Sequence, residues 1–317
     1  PVYRRAVDEC LNILQSRLKL DLKVFLFPAA GQEDAASEQL QRPSLALPAL
    51  LTTQYAQAKL WQSWGVEPNA MIGHSMGEYT AAHLAGVFSL ADALTLVELR
   101  GRLFETLPEG AMLSVPLPEV ELLPLLPADL SIGVINGPRL CVASGPVASI
   151  EALQQRLTEM EIDAARVRIN VAAHSPMLEP ILAEFGAFLR GLTMRAPTLP
   201  LISNFSGKPI TAADATSPDY WVRHLRHTVR FADGVQELLA DESRVLLEVG
   251  PGRTLSSLAR NHPARKMTQP IVTSMRHPDE AVHDQAFMLG AFGRLWAVGT
   301  DVDWSKLREG ETRHRIE

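Results

Sequence analysis

Apolar positions recur along the first hundred residues in two alternating rhythms. Val7, Leu11, Leu14 and Leu18 fall on one side of a helical wheel and predict an amphipathic helix over Val2–Leu18. Leu50, Leu51, Tyr55, Ala58 and Trp61 repeat that spacing and predict a second helix over residues 48–64. Between them, residues 21–42 have no usable period. After Gly65-Val66-Glu67-Pro68, a short apolar run leads into Gly73-His74-Ser75-Met76-Gly77. Helical patterns follow over residues 78–85 and 90–107, the second started by Ser89 as a cap. Helix and strand in alternation argue for an α/β fold on a parallel sheet.

From Gly110 the rhythm changes. Strands are predicted over residues 111–117, 131–136, 140–144 and 164–171, with helices at 120–126 and 147–160. Two strands meeting at the turn Gly137-Pro138, with a helix on each side, make a β-α-β-β-α-β unit, which is ferredoxin-like. Large-domain texture then resumes. Helices are expected over 175–192, 220–225, 231–241 and 280–298, one more starts at Thr254, and strands are expected over 201–204, 244–249 and 271–274. The division expected is therefore a large α/β-hydrolase-like subdomain, residues 1–111 and 173–277, interrupted by a small ferredoxin-like α+β subdomain at 112–172. Residues 278–317 would follow as a linker, ending in a polar tail from Asp301.

Composition narrows the class. The chain has 317 residues, 46% of them hydrophobic and 21% charged, enough for one large domain with a smaller insertion. A net charge of −6 without a dense Lys/Arg run argues against a nucleic-acid partner. Cys10 and Cys141 have neither metal-ligand nor disulfide spacing, so no metal is expected and a cytoplasmic setting fits. No signal peptide or membrane-length apolar run is visible. The chain starts at Pro1 and not at Met, which predicts a piece of a longer protein.

Gly73-His74-Ser75-Met76-Gly77, between a strand and a helix, has the layout of a nucleophile elbow. Its glycines would relieve the crowding around a strained serine, and the Met76 N–H and the helix start would face developing negative charge. The alternative is an ordinary turn. A nucleophilic serine needs a base, and His174 ends a β-type run just before a helix, on the same rim as the elbow. The alternative for His174 is a local role at a helix start. His74 is expected to point away from Ser75, and His83 to pack. His224, His227, His262, His277, His283 and His314 read as surface or inter-element residues. Arg100 lies in an apolar helical face with Leu94, Val97, Leu103 and Phe104, so its guanidinium needs an anion. Spacing leaves two choices open, an ion pair with Glu98 or Glu105, or a substrate carboxylate.

A resemblance separates these choices. Gly73-His74-Ser75-Met76-Gly77-Glu78, Arg100-Gly101-Arg102-Leu103, Glu109-Gly110-Ala111-Met112, Asn136-Gly137-Pro138 and Ala173-His174-Ser175 resemble the acyltransferase domain of modular type I polyketide synthases. Ser203-Asn204-Phe205-Ser206-Gly207, the segment from Asp219 to Arg226, and Leu247-Glu248-Val249-Gly250-Pro251-Gly252 also fit. Free malonyl-CoA:acyl-carrier-protein transacylases are more distantly similar. The resemblance implies that Ser75 is acylated, His174 is its base, and Arg100, 25 positions after Ser75, binds the carboxylate of a malonyl-type substrate. It also implies a backbone orienter for His174 near Val249 and Gly250, and a substrate pocket formed by Met76, His74, Ala173, Val171 and Asn136. No bound cofactor is implied. The substrate is a CoA thioester, and the partners are an acyl carrier protein bearing phosphopantetheine and the ketosynthase and linker of the same megasynthase.

Two departures from that family are visible. Its members open with a strand carrying Gly-Gln-Gly-x-Gln, whose glutamine supplies an oxyanion donor, and the present chain begins just after that point. Gly31-Gln32 stands in a different context. Before the base, malonyl-selective domains tend to read His-Ala-Phe-His and methylmalonyl-selective ones Tyr-Ala-Ser-His, whereas this chain reads Val171-Ala172-Ala173-His174. Ala173 leaves room for an α-methyl branch, while the bulk of Met76 leans towards malonyl, which is favoured slightly. Two rivals stand beside the transferase: a serine hydrolase or thioesterase with the same elbow, and a non-catalytic docking domain of a megasynthase.

Overall fold

The computed structural model describes residues 1–308; His314 and the end of the expected linker lie outside the described residues. Helix α1 (Val2–Leu18) has the predicted bounds, and Ala6, Val7, Cys10, Leu11 and Leu14 are buried on its apolar stripe. Helix α2 (Pro43–Ser63) starts five residues earlier than its apolar period indicates. Arg42 is extended before Pro43, as pre-proline residues tend to be, and the proline opens the helix. Residues 21–42, aperiodic in sequence, fold into two short helical segments, Lys23–Leu26 and Glu33–Gln39.

Strand β1 (Met71–Ile72) leads into helix α3 (Gly77–Leu84), and helix α4 (Leu90–Phe104) follows. Ser89 caps α4 by accepting a hydrogen bond from the Asp92 amide at 3.1 Å. Helices α1, α2 and α4 pack together, and at Gly101 a methyl group would overlap the Pro43 backbone. That close approach lets the neighbouring Arg100 reach inward from a face otherwise filled by leucines.

The inserted sheet comprises β2 (Gly110–Val115), β3 (Ser131–Gly137), β4 (Leu140–Pro146) and β5 (Ala165–Arg166), in the order β3-β4-β2-β5 with every pair antiparallel. This is the ferredoxin-like order expected. Period two divides its faces. Ala111, Leu113 and Val115 pack under helix α5 (Val147–Glu159) with Ile150, Leu153 and Leu157, whereas Met112, Val134 and Val142 face Val229 and Phe231 of the large unit. Only two residues of the run at 164–171 pair as a strand, because the chain beyond Arg166 turns back towards the large unit.

After a single 3-10 turn at Pro176–Leu178 come α6 (Glu179–Arg190), β6 (Leu201–Ile202), α7 (Pro218–Arg226) and α8 (Phe231–Leu239). Then follow β7 (Leu246–Glu248), α9 (Thr254–Arg260), β8 (Ile271–Thr273) and α10 (Asp284–Ala297). The large unit does not form one continuous parallel sheet among the described residues. It holds two parallel pairs, β1 with β6 and β7 with β8. The free edges of β1 and β7 face the same cavity of about 1610 Å³, which Met71, Ile72, Leu246 and Leu247 line. After Asp301 the described residues include a further helical turn, Trp304–Leu307.

Candidate active site

The elbow is built by exclusion of side chains. At Gly73 a methyl group would overlap the Gly77 carbonyl and the Glu78 amide, so only glycine allows the chain to fold back this tightly. Ser75 takes φ +50°, a left-handed conformation that costs a non-glycine residue roughly 1–2 kcal/mol. His174, from the other side of the cleft, has φ +59°. Two strained residues therefore face each other, with Ser75 Oγ and His174 Nε2 separated by 2.7 Å. Such a pair is the arrangement of a nucleophile and its base.

The turn that carries His174 is held from both sides. Ser144 Oγ, on β4, donates to the Ala173 carbonyl at 2.7 Å, and Ser175 Oγ donates to the Ala172 carbonyl at 2.7 Å. Burial, reinforced by Arg100, His224 and His74, drives the His174 pKa well below the usual imidazole value. The ring is therefore neutral at physiological pH and can accept the Ser75 proton. The His227 carbonyl opposes this shift without closing a hydrogen bond to Nδ1, which has no partner among the described residues.

Val249 and Gly250, expected to orient His174, make no hydrogen bond to it. Gly250 (φ +135°) lies against α2, where a methyl group would come within 2.9 Å of Gln54 Cγ. Glu248 of the same motif caps α9, accepting from the Leu255 amide at 3.1 Å and the Ser256 amide at 2.8 Å. That motif shapes the cavity wall and starts a helix.

Arg100 is 2% exposed, with Nη2 donating to Ser75 Oγ at 2.9 Å. Among the described residues, its Nε and Nη1 have no partner. The guanidinium lies between the rings of Tyr79 (5.5 Å) and Phe104 (5.2 Å). Burial lowers its pKa, yet a guanidinium stays charged in proteins. Neither carboxylate offered as a partner by spacing is used: Glu98 lies 3.7 Å from Arg102, and Glu105 binds Arg42 and the Ser44 amide. Among the described residues this buried cation has no carboxylate partner, a costly state for a charge taken out of water.

Around this centre, His74 turns away from Ser75 and donates from Nε2 to Asn136 Oδ1 at 2.8 Å. Met76, Asn136, Val171 and Ala173 line the same cavity, joined by Met112, Val134 and Val142 from the inserted sheet. The Met76 N–H makes no hydrogen bond among the described residues, leaving it free for an oxyanion. Of the histidines read as surface or inter-element residues, His224 and His262 are buried, 2% and 5% exposed. Sequence reasoning missed Glu78, Asn204 and Tyr220 as a buried polar group behind the elbow. The inward spacing of Tyr220, Trp221, His224 and Leu225 on α7 was the signal available for His224.

The family model described as "Acyl transferase domain" matches residues 1–289. A segment of a phenolphthiocerol/phthiocerol polyketide synthase of Mycobacterium tuberculosis is 39% identical over 308 residues, 97% of this chain. The chain spans about a fifth of that relative's length (20%). Among solved structures, the acyl transferase domain of ZmaA is 40% identical with TM-score 0.92, over 100% of this chain and 73% of that one. The acyl transferase domain of SpnD, in complex with 2-(pent-4-yn-1-yl)malonyl, is 39% identical with TM-score 0.85, over 94% and 71% of the two chains. An elbow serine with a base is common to hydrolases and transferases, so these matches separate the two where geometry alone does not. The chain belongs to the acyl transferase domain family, among the acyltransferase domains of polyketide synthases.

Proposed function

We propose that the domain takes an α-carboxyacyl unit, malonyl in slight preference to methylmalonyl, from its CoA thioester onto Ser75. It then passes the unit to the phosphopantetheine thiol of an acyl carrier protein. His174 Nε2 removes the Ser75 proton as Oγ attacks the thioester carbonyl, and the Met76 N–H stabilises the oxyanion. Collapse expels CoA as its thiol, which takes the proton back from His174. The carrier thiol then gives its proton to His174, attacks the acyl-serine and frees Ser75.

The observation that carries this reading is Arg100: buried, without a carboxylate partner among the described residues, and 2.9 Å from Ser75 Oγ. Its unpaired Nε and Nη1 offer donors to the free carboxylate of a dicarboxylic unit. The malonyl-type ligand held by the SpnD domain supports the same substrate class. On the pocket wall Met76 narrows the space for an α-branch while Ala173 widens it. One methyl is worth about 1–3 kcal/mol in such a pocket, so methylmalonyl is a slower substrate and not an excluded one. Carrier protein, ketosynthase and linker are the partners within a longer synthase, with residues 278–317 as the linker that follows the domain.

The test compares malonyl-CoA with acetyl-CoA on Arg100→Ala, reading the Ser75 adduct by mass spectrometry. Malonyl loading should fall roughly hundredfold while acetyl loading holds or rises, since only malonyl carries the second carboxylate. Equal losses would sink the carboxylate clamp. Malonyl- and methylmalonyl-CoA in competition read the branch preference in the same spectrum, and no adduct on the unaltered protein would favour the docking role.

A further inference from the structure

Behind the elbow, on the side away from the substrate cavity, polar side chains from three distant segments meet in a buried cluster. Asn204 (1% exposed), Glu78 (0%), Ser203 (2%), Tyr220 (2%) and His224 (2%) are all buried. Buried polar groups that serve only packing are costly to keep, so their arrangement calls for a reason.

Asn204 straddles the nucleophile. Its Oδ1 accepts from the Ser75 backbone N–H at 2.6 Å, and its Nδ2 donates to the Gly73 carbonyl at 2.7 Å. The orientation of the amide is unambiguous, since the Ser75 N–H can only donate and the Gly73 carbonyl can only accept. One side chain thus bridges the residues before and at the left-handed Ser75. Asn204 is itself held in place: its backbone N–H donates to Glu78 Oε2 at 2.7 Å. The other carboxyl oxygen of Glu78 accepts from Tyr220 Oη at 2.5 Å. The Ser203 hydroxyl lies 2.6 Å from Tyr220 Oη and accepts from the amides of Phe205 and Ser206. His224 Nε2 stands 3.3 Å from Glu78 Oε2, with Nδ1 3.2 Å from Tyr79 Oη.

We infer that Asn204 is a positioning residue which holds Ser75 in its strained backbone conformation, and that the Glu78 carboxyl group anchors Asn204 for this task. The inference rests on the reading of Ser75 as the acylated nucleophile. Without the amide bridge, the Ser75 backbone is free to relax out of the left-handed region. Oγ then leaves its place 2.7 Å from His174 Nε2 and 2.9 Å from Arg100 Nη2. A shift of about 1 Å at a reacting atom is enough to cost two orders of magnitude in rate. Asn204 does not line the substrate cavity, so binding of the CoA thioester is expected to be unchanged.

The test is pre-steady-state loading of the full chain with malonyl-CoA, which separates the rate constant of Ser75 acylation from the burst amplitude. The unaltered protein must first give a burst and a Ser75 adduct; if it does not, the acyl-serine reading fails and not the role of Asn204. Asn204→Ala is then expected to acylate about a hundredfold more slowly, with full amplitude per folded molecule and unchanged KM. Asn204→Asp keeps the volume and the acceptor for the Ser75 N–H but sets an oxygen against the Gly73 carbonyl. It should also slow acylation, and it decides the matter if Asn204→Ala does not fold. A reduced amplitude at an unchanged rate constant would mean that Asn204 only holds the fold together. That result overturns the inference, as does an unchanged rate at full amplitude.

Discussion

Residues 110–166 contain no aromatic side chain and no histidine, whereas every Phe, Tyr, Trp and His of the chain lies outside them. The inserted unit is an aliphatic core under a complete four-stranded sheet. The large unit holds the buried histidines, the buried Arg100 and the left-handed Ser75 and His174, and its strands are split into two short parallel pairs with open edges. Strands joined by a two-residue turn, such as β3 and β4, find each other through local sequence. Parallel strands depend on neighbours far along the chain. The insertion accordingly supplies shape, and its share in the site is a wall and two hydrogen bonds: Met112, Val134 and Val142, the Asn136 partner of His74, and Ser144 behind Ala173.

That division is open to attack from both sides. The largest effect is expected in the elbow. Gly73→Ala forces a methyl group into the Glu78 amide and must open the turn, so Ser75 acylation should fall roughly a thousandfold, about 4 kcal/mol of barrier. Thermal unfolding followed by tryptophan fluorescence, which reports only the large unit, should change far less. Leu113→Ala removes a fully buried side chain from the aliphatic core and should cost about 3 kcal/mol of stability by denaturant titration. Its acylation rate per folded molecule should match the unaltered protein; a drop comparable to that of Gly73→Ala would erase the distinction.

The smallest effect is in pH. Burial lowers the pKa of His74, His83, His174 and His262, all in the large unit. Below about pH 6.5 the unfolded chain binds protons at these sites that the folded chain does not. Their stabilisation is therefore complete above that pH and lost as the pH falls below it. Tryptophan-monitored unfolding should weaken steadily on acidification. Loading activity should outlast it, because neutral His174 remains a base below the usual imidazole range; a kcat/KM profile that halves near pH 6.5 would contradict this.

Much of the architecture is legible because its signals are local. The period of Val7, Leu11, Leu14 and Leu18 sets α1, and Gly137-Pro138 sets the hairpin. The apolar pattern overstates the parallel strands, since a run such as residues 244–249 does not say how many of its residues find a neighbour. In the site, Ser75, His174 and Arg100 stand out in the sequence as candidates, but their spacing leaves alternatives that only the family resemblance separates. Asn204 and Glu78 do not stand out, because their partners come from segments more than a hundred residues apart. Val249 and Gly250 mislead for the opposite reason: a conspicuous motif, Glu248 to Gly252, serves helix capping and close packing.

Only four described non-glycine residues have a left-handed backbone, and two of them are Ser75 and His174. Glycine would suit both positions better. Gly-for-His or Gly-for-Ser replacement would relieve about 1 kcal/mol of strain each while ending the chemistry. The cleft is thus a place where the fold would be more stable without its function. Selection for thermal robustness alone would favour glycine at these two positions.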